Sequence, residues 1–230
     1  MTRSTRRSSL RPALFTLAAS AATLAAGLAT PANALPPGAS QPTEVLELFT
    51  SQGCSSCPPA NDQIAAEAAS GDALALSYGV TYWDYLGWTD TFASPEYTER
   101  QRAYVKALGA RTAYTPQIVR NGTEHSSRLP RIDRTGGLAP GVALEERGGG
   151  LVAQGAGEAV LIAFAPGAQE VAVKRGENGG RTLSVSNVVE GMEPVSLPHT
   201  FAPEAGLAYA VLQHGEDMAL TSAAAWLPEG

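Results

Sequence analysis

The sequence predicts an α/β domain, with a central mixed sheet flanked by helices, followed by a C-terminal antiparallel β extension. Apolar runs alternate with helical patterns from about residue 45 to residue 120. From Gly136 onward, glycine becomes dense, helix signals vanish and short β-like runs appear. A third observation is the placement of Cys54 and Cys57 between a predicted strand and a predicted helix.

The first predicted strand and helix flank the two cysteines. Residues 45–49 are apolar except for Glu47, which predicts a strand buried on both faces. Pro58 and Pro59 suit a first helical turn, where a missing N–H group costs nothing. The body of this helix is predicted over residues 61–69.

Three further elements are predicted in the first part of the chain. Residues 73–82 form an apolar strand pattern, and an aromatic loop is expected over residues 84–92. Ser94 is the predicted N-cap of a helix that reaches Leu108. A third strand is predicted over residues 117–119, before a turn.

The β extension is predicted from short runs separated by turn-rich pieces. These runs lie at residues 150–152, 159–164, 170–174, 183–189 and 208–213. The loop of residues 176–181, GENGGR, is expected to be a plain β-turn, and a functional turn that bears an arginine is the alternative. The whole pattern predicts three parts: an N-terminal segment over 1–34, an α/β domain over 42–140 and a β-rich module over 141–230.

The N-terminal segment has the pattern of an export signal. Arginines precede an apolar, Ala-rich stretch, and Ala32-Asn33-Ala34 fits a cleavage site. We expect cleavage after Ala34 and a periplasmic or extracellular protein, and an uncleaved membrane anchor is the alternative. The pair Arg6-Arg7 also fits a twin-arginine signal, although ordinary secretory signals contain such pairs.

The chain without this signal is acidic. Four of the 16 Lys and Arg residues lie in the signal, which leaves 12 basic against 22 acidic residues and a net charge of −10. Such a surface repels phosphate backbones and anionic lipids. We therefore expect no nucleic-acid partner and no stable membrane insertion after cleavage.

A strand, a CxxC pair and a helix, in this order, are the arrangement of the thioredoxin fold. The domain over 42–140 is therefore predicted to be thioredoxin-like, and the segment over 1–34 to be its export signal. A thiol at a helix N-terminus faces unpaired N–H groups and the positive end of the helix dipole, which favour the thiolate. We therefore expect Cys54 to be the exposed nucleophile and Cys57 to be the more buried resolving thiol. Ser55 and Ser56 add no positive charge, which predicts a milder reduction potential than in relatives with His between the cysteines. A structural staple is disfavoured because the pair closes almost no loop.

The segment Tyr114-Thr115-Pro116-Gln117 matches a second thioredoxin-fold feature, a cis-proline at the start of a strand that faces the CxxC loop. The residue before such a proline turns its backbone groups outward, where they can pair with an extended substrate chain. Thr115 and Pro116 are therefore predicted substrate-binding residues. Trp83 is a third, and an aromatic loop packed on the core is the alternative.

Glu47 is a carboxylate within an apolar strand, seven residues before Cys54. If it lies beneath the sulfurs, burial would raise its pKa and suit it to shuttling the proton of Cys57. An ion-paired glutamate without a catalytic role is the alternative.

Four segments in order resemble an exported bacterial family, the thioredoxin-like family named domain of unknown function 1223. They are VLELFTSQGCSSCPPAND, YWDYLGWTDTFASPEYTERQRAY, YTPQIVRNG and KRGENGGR. The resemblance implies a thioredoxin-like fold with a C-terminal β extension and leaves the substrate open. Relatives usually carry His and Asp where this chain has Gly79 and Thr81, so this chain lacks two groups that could relay protons there.

The leading hypothesis is an extracytoplasmic thiol–disulfide oxidoreductase that acts on a protein or small thiol or disulfide substrate and uses no cofactor. Its predicted catalytic residues are Cys54, Cys57 and Glu47. A second hypothesis is a secreted binding protein with an inert CxxC disulfide. A third is a Cu- or Zn-handling module, although no metal site is predicted, because none of the histidines has ligand spacing. These histidines are His125, His199 and His214.

Overall fold

A mixed sheet of ten strands forms the frame of the part of the chain that the computed structural model describes, residues 38–71, 73–129 and 137–229. All of these residues belong to one compact unit, Pro31–Gly230. The predicted export signal over residues 1–34 lies outside the described residues. No helix within the described residues is long and apolar enough to cross a membrane.

The elements follow the chain in a simple order. The strands are β1 Gly38–Ser40, β2 Val45–Thr50, β3 Leu74–Gly79, β4 Gln117–Arg120, β5 Glu124–Ser126, β6 Ala143–Arg147, β7 Gly150–Ala172, β8 Thr182–Phe201, β9 Ala208–His214 and β10 Leu220–Leu227. The helices are α1 Pro58–Ser70, a 3₁₀ helix Thr81–Leu86 and α2 Pro95–Ala107.

The sheet runs in the order β1-β10-β9-β7-β8-β3-β2-β4-β5, and β6 pairs with β7. β2 is parallel to β3 and antiparallel to β4, which is antiparallel to β5. β3 meets β8 in a short parallel pairing of Ser77 with Val188. Strands from both predicted domains thus belong to one sheet, and the domain boundaries proposed from the sequence stay a prediction.

The two α-helices begin where the sequence indicates. Prolines occupy the first turn of α1, and Ser94 caps α2 by accepting a hydrogen bond from the Glu96 amide at 3.3 Å. α1 packs on one face of the sheet, against Leu46 and Leu48 of β2. α2 packs on the other face, where Tyr104 joins Phe49 in the largest apolar cluster.

The β extension is built on one long antiparallel hairpin. The predicted runs at 150–152, 159–164 and 170–174 are parts of the single strand β7, which pairs with β8 along most of its length. Register shifts within this pairing explain why the sequence pattern breaks into separate runs. The hairpin ends in a loop over residues 173–181, which we call the cover loop. Backbone bonds between Val173 and Arg181 and between Gly180 and Val173 close its base.

Candidate functional site

The two cysteines lie between the end of β2 and the start of α1, as predicted. Cys54 and Cys57 form a disulfide with their Cα atoms 5.5 Å apart. Cys57 occupies the N-cap position of α1, and its carbonyl accepts bonds from the amides of Ala60 and Asn61. The Ser56 hydroxyl lies 3.4 Å from the Cys54 sulfur.

The prediction that Cys54 is exposed is wrong, because both cysteines have 0% exposure to solvent. The two serines between them are exposed, so only the sulfur side of the motif is sealed. An element from the C-terminal half of the chain lies beside the motif. The cover loop returns to the end of β2 and lies against the CxxC segment.

Two side chains of the cover loop bind the CxxC segment directly. Asn178, itself fully buried, donates one bond to the Gln52 carbonyl at 3.0 Å and another to the Cys54 carbonyl at 2.9 Å. Glu177 accepts two bonds from Ser55 through one oxygen, from the amide at 3.1 Å and from the hydroxyl at 2.6 Å. The cover is therefore held by polar contacts with the backbone around the disulfide.

The rest of the cover loop supports these contacts. Arg181 donates to the Asn178 side-chain oxygen at 2.7 Å, which fixes the amide so that its N–H groups point at the two carbonyls. A Cβ placed on Gly176 would lie 4.0 Å from the Gly53 Cα and 3.7 Å from the Trp88 Cβ. The loop thus packs beside both the CxxC segment and the aromatic segment before α2.

The predicted substrate-binding residues Trp83 and Thr115 lie side by side. The Trp83 indole donates to the Thr115 hydroxyl at 2.7 Å, and a Cβ on Gly53 would lie 3.1 Å from the Trp83 Cβ. Trp83 therefore connects the CxxC segment to the Thr115–Pro116 bond, which is cis as predicted. The substrate-binding role of the three residues stays a prediction.

Of the segment predicted as an aromatic loop, residues 84–86 belong to the 3₁₀ helix and residues 87–92 are loop. The segment is anchored to the residues before Cys54. Trp88 donates to the Gln52 side-chain oxygen at 2.8 Å, and Asp90 accepts from the Gln52 amide at 2.7 Å. Burial raises the pKa of Asp90 although its carboxylate accepts hydrogen bonds from the backbone amides of Gln52 and Phe92. Tyr85 stacks on Trp83 and leaves 79% of its surface exposed. The segment thus combines packing with an exposed aromatic face.

Glu47 is buried, but its neighbours are those of an ion pair. It binds the Arg100 guanidinium at 2.6 Å and accepts a hydrogen bond from the Tyr104 hydroxyl. Burial by itself would raise its pKa, but the charge and hydrogen bond of Arg100, together with the hydrogen bond from Tyr104, outweigh burial and lower it. The predicted direction of this shift is therefore wrong, because sequence did not reveal Arg100. A catalytic role for Glu47 stays a prediction.

His214 of β9 completes this buried network. Its Nε2 atom lies 3.1 Å from an Arg100 nitrogen, and because arginine can only donate, Nε2 accepts and the imidazole is neutral. Burial and the Arg100 charge lower the pKa of His214 to about 4. The network links β2, α2 and the β extension.

A cleft of about 370 Å³ opens beside the exposed side of the motif. It is lined by Ser56, Pro59, Ala60, Gln63, Ser127 and Arg128. Ser56 lies between this cleft and the Cys54 sulfur. Within the described residues, no group of three His, Cys, Asp or Glu side chains could hold a metal ion.

The two departures from the resembling family have local structural partners. A Cβ on Gly79 would lie 2.6 Å from the Phe92 carbonyl carbon, so this backbone leaves no room for a side chain there. Thr81 donates its amide to the Thr98 hydroxyl of α2 at 3.1 Å. Gly79 thus allows close packing of the backbone, and Thr81 is hydrogen-bonded to α2 through its amide and its hydroxyl.

Sequence reasoning missed Glu177 and Asn178 as neighbours of the sulfurs. The available signal was the match of KRGENGGR to the resembling family. That signal gave no partner, because 124 residues separate Cys54 from Asn178.

Comparison with known proteins places the chain in a family. A family model described as "Protein of unknown function (DUF1223)" matches residues 45–135, which include β2, the CxxC pair and β4. A crystal structure of an Agrobacterium tumefaciens protein, from a structural genomics consortium, is similar at 31% identity and a TM-score of 0.63. The similarity covers 83% of this chain and 96% of that one. No curated protein matches. Together, these matches establish that the chain belongs to the DUF1223 family.

Proposed function

We propose that this protein is an exported, thioredoxin-like thiol–disulfide oxidoreductase. The observation that carries the proposal is the Cys54–Cys57 disulfide at the N-terminus of α1. The pairing around it agrees with a thioredoxin-like core, since β3, β2, β4 and β5 are neighbours in that order and only β2 and β3 are parallel. An export route before folding or a twin-arginine route would each bring the chain to an oxidising compartment.

The proposed reaction exchanges two electrons with a dithiol substrate. A substrate thiolate attacks the Cys54 sulfur, a new S–S bond forms, and the Cys54–Cys57 bond breaks with its electron pair going to Cys57. The second substrate thiolate then attacks the substrate sulfur of the mixed disulfide and releases Cys54 as a thiolate. The substrate becomes a disulfide, the protein becomes a dithiol, and two protons pass from substrate to protein. The reverse sequence reduces a disulfide substrate.

The surroundings of the motif suit such an exchange. N–H groups at the start of α1 favour a thiolate over a thiol at Cys54. The cleft beside Ser56 and the exposed ring of Tyr85 offer surface on which a peptide or small thiol can rest. The chemistry needs only a thiol or disulfide partner, so the proposal includes no cofactor.

A secreted binding protein with an inert disulfide is the second candidate. The observation in its favour is the complete burial of both sulfurs. An oxidoreductase requires the cover loop to move, whereas a binding protein does not. The two candidates therefore differ in whether the disulfide reacts in the folded protein.

Trapping in the native compartment tests the proposal. A Cys57→Ser variant keeps the attacking thiol but cannot resolve a mixed disulfide, so we expect it to accumulate covalent complexes with substrate proteins or small thiols. The Cys54→Ser variant is the matched control, because it keeps one thiol, that of the proposed resolving residue Cys57, and lacks the proposed attacking thiol. Mass spectrometry would identify the attached partners. Equal and negligible trapping by both variants would contradict the oxidoreductase and favour the binding protein.

A further inference from the structure

We propose that Glu177 is a positioning residue of the sulfur site, which holds both hydrogen-bond donors of Ser55 and thereby disfavours a Cys54 thiolate while the cover loop lies over the reduced site. The inference deepens the proposed function by naming a residue of the β extension that regulates the same site. It concerns the thiol chemistry of Cys54 itself, so it can be tested before any substrate is known.

The contact between Glu177 and Ser55 satisfies two donors with one carboxylate oxygen. The Ser55 amide and hydroxyl lie 3.1 Å and 2.6 Å from this oxygen. Hydrogen bonds from the hydroxyl and then the amide lower the pKa of Glu177, which favours the charged carboxylate. Among the residues that the structure describes, no cation forms an ion pair with Glu177. Its negative charge therefore stays beside the CxxC segment.

This charge opposes ionisation of the neighbouring thiol. After reduction, a Cys54 thiolate is stabilised by N–H groups at the start of the helix and by nearby hydroxyl donors. With Glu177 in place, the two donors of Ser55, the residue that follows Cys54, are already used, and the exposed carboxylate adds a like charge beside the CxxC segment. Both effects raise the free energy of the thiolate. Release of the cover loop removes both effects, so opening the site also activates its nucleophile.

A variant at Asn178 distinguishes the effect of the Glu177 charge from the effect of the cover loop lying over the CxxC segment. Its amide holds the cover loop on the Gln52 and Cys54 carbonyls and carries no charge. Loss of Asn178 should loosen the cover while leaving the Glu177 carboxylate in the loop. A Glu177→Gln change should keep an acceptor for Ser55 while removing the charge.

The first experiment measures the pKa of the Cys54 thiol from thiolate absorbance, in the Cys57→Ser background. We expect Glu177→Gln to lower this pKa by about one unit. The control is Glu216→Gln, which removes the same charge from the turn between β9 and β10. A thiol pKa that is the same in Glu177→Gln and in the control would overturn the proposal.

The second experiment measures how fast dithiothreitol reduces the disulfide of the two-cysteine protein. We expect Asn178→Ala to speed reduction by about tenfold, because two hydrogen bonds of the cover are lost. Its thiol pKa, measured in the Cys57→Ser background, should fall less than that of Glu177→Gln. A fall in Asn178→Ala without any fall in Glu177→Gln would overturn the proposal, because coverage rather than the carboxylate would then control ionisation. Neither measurement needs a substrate. A failed trapping experiment would therefore contradict the proposed function, whereas the thiol pKa and the reduction rate alone would decide the role of Glu177.

Discussion

Two polar sites are buried along the same stretch of chain, and they are buried in different ways. Glu47, in the middle of β2, is enclosed by helix α2 and strand β9 and paired with Arg100. The disulfide, just beyond the end of β2, is buried beside the cover loop, which binds the CxxC segment through two side chains. One enclosure is part of the core, and the other is a loop laid over a helix N-terminus.

The difference shows that a side chain with no solvent exposure can be buried either in the core or beneath a surface loop. To expose Glu47, α2 must leave the sheet, which removes the apolar cluster around Phe49 and Tyr104. To lift off the CxxC segment, the cover loop must give up four hydrogen bonds, which water can replace. We therefore expect the network to set global stability and the sulfur site to open locally.

The largest effect is expected from breaking the buried ion pair. Arg100→Met leaves the Glu47 carboxylate buried without a counter-charge, and we expect a loss of about 3–5 kcal/mol in the free energy of unfolding. Urea denaturation measures it. The matched control is Arg102→Met, because Arg102 pairs with Glu99 on the surface and is 59% exposed. Its expected loss is below about 1 kcal/mol. Similar losses in both variants would contradict the distinction between the two sites.

The next effect is a pH dependence that arises from His214. Its pKa is about 4 in the folded protein against 6.5 as its ordinary value. The full stability is present above pH 6.5, and it is lost as pH falls toward 4, because the unfolded chain binds a proton that the folded chain does not. The expected loss is up to about 3 kcal/mol.

The test of this pH dependence compares two histidine variants by urea denaturation between pH 4 and 7. His214→Gln should flatten the slope, since its amide oxygen can accept from Arg100 without titrating. The control His199→Gln removes an imidazole that stacks on Phe201, away from the network, and should keep the slope. An unchanged slope in His214→Gln would show that another group is responsible.

A smaller effect is expected from removing the disulfide. Because Cys54 and Cys57 are only three residues apart, the chain-entropy model gives a loss of about 2 kcal/mol for the Cys54→Ser/Cys57→Ser variant. Denaturation of the reduced wild-type protein provides the matched comparison. A loss as large as that of Arg100→Met would identify the disulfide as a structural element and would favour the inert-disulfide candidate.

The smallest effect concerns single backbone amides. Hydrogen exchange of the Ser55 amide should proceed through opening of the cover loop, whereas the Leu48 amide in the central strand should exchange only on global unfolding. NMR detection resolves the two sites. Asn178→Ala should speed exchange of the Ser55 amide. The free energy of exchange of the Leu48 amide should still equal the free energy of global unfolding. Exchange of both amides at one common rate would show that the two regions open together.

Local patterns predicted most of the elements around the sulfurs. The strand ending at Thr50, the proline-started helix α1 and the Ser94-capped helix α2 depend on neighbouring residues, so the sequence contains their signals. The short polar strand β5 and the Ala-rich strand β10 were missed, because alanine and charged residues are weak strand formers.

The electrostatics of the site could not be predicted, because they depend on distant partners. Glu47 lies 53 residues before Arg100, and Ser55 lies 122 residues before Glu177. Sequence correctly located the cysteines and the cis peptide bond before Pro116, but it predicted an exposed Cys54 and a raised pKa at Glu47. Both errors have one cause, since each side chain is enclosed by an element whose position only the folded sheet defines.

The central claim is that the disulfide reacts in the folded protein through movement of the cover loop. The most direct test is the rate of its reduction by dithiothreitol at increasing urea concentrations below the unfolding transition. The account predicts a rate that is proportional to dithiothreitol, changes little with urea and yields a folded dithiol protein. A rate that rises with urea as steeply as global unfolding, and that never exceeds the unfolding rate, would contradict it.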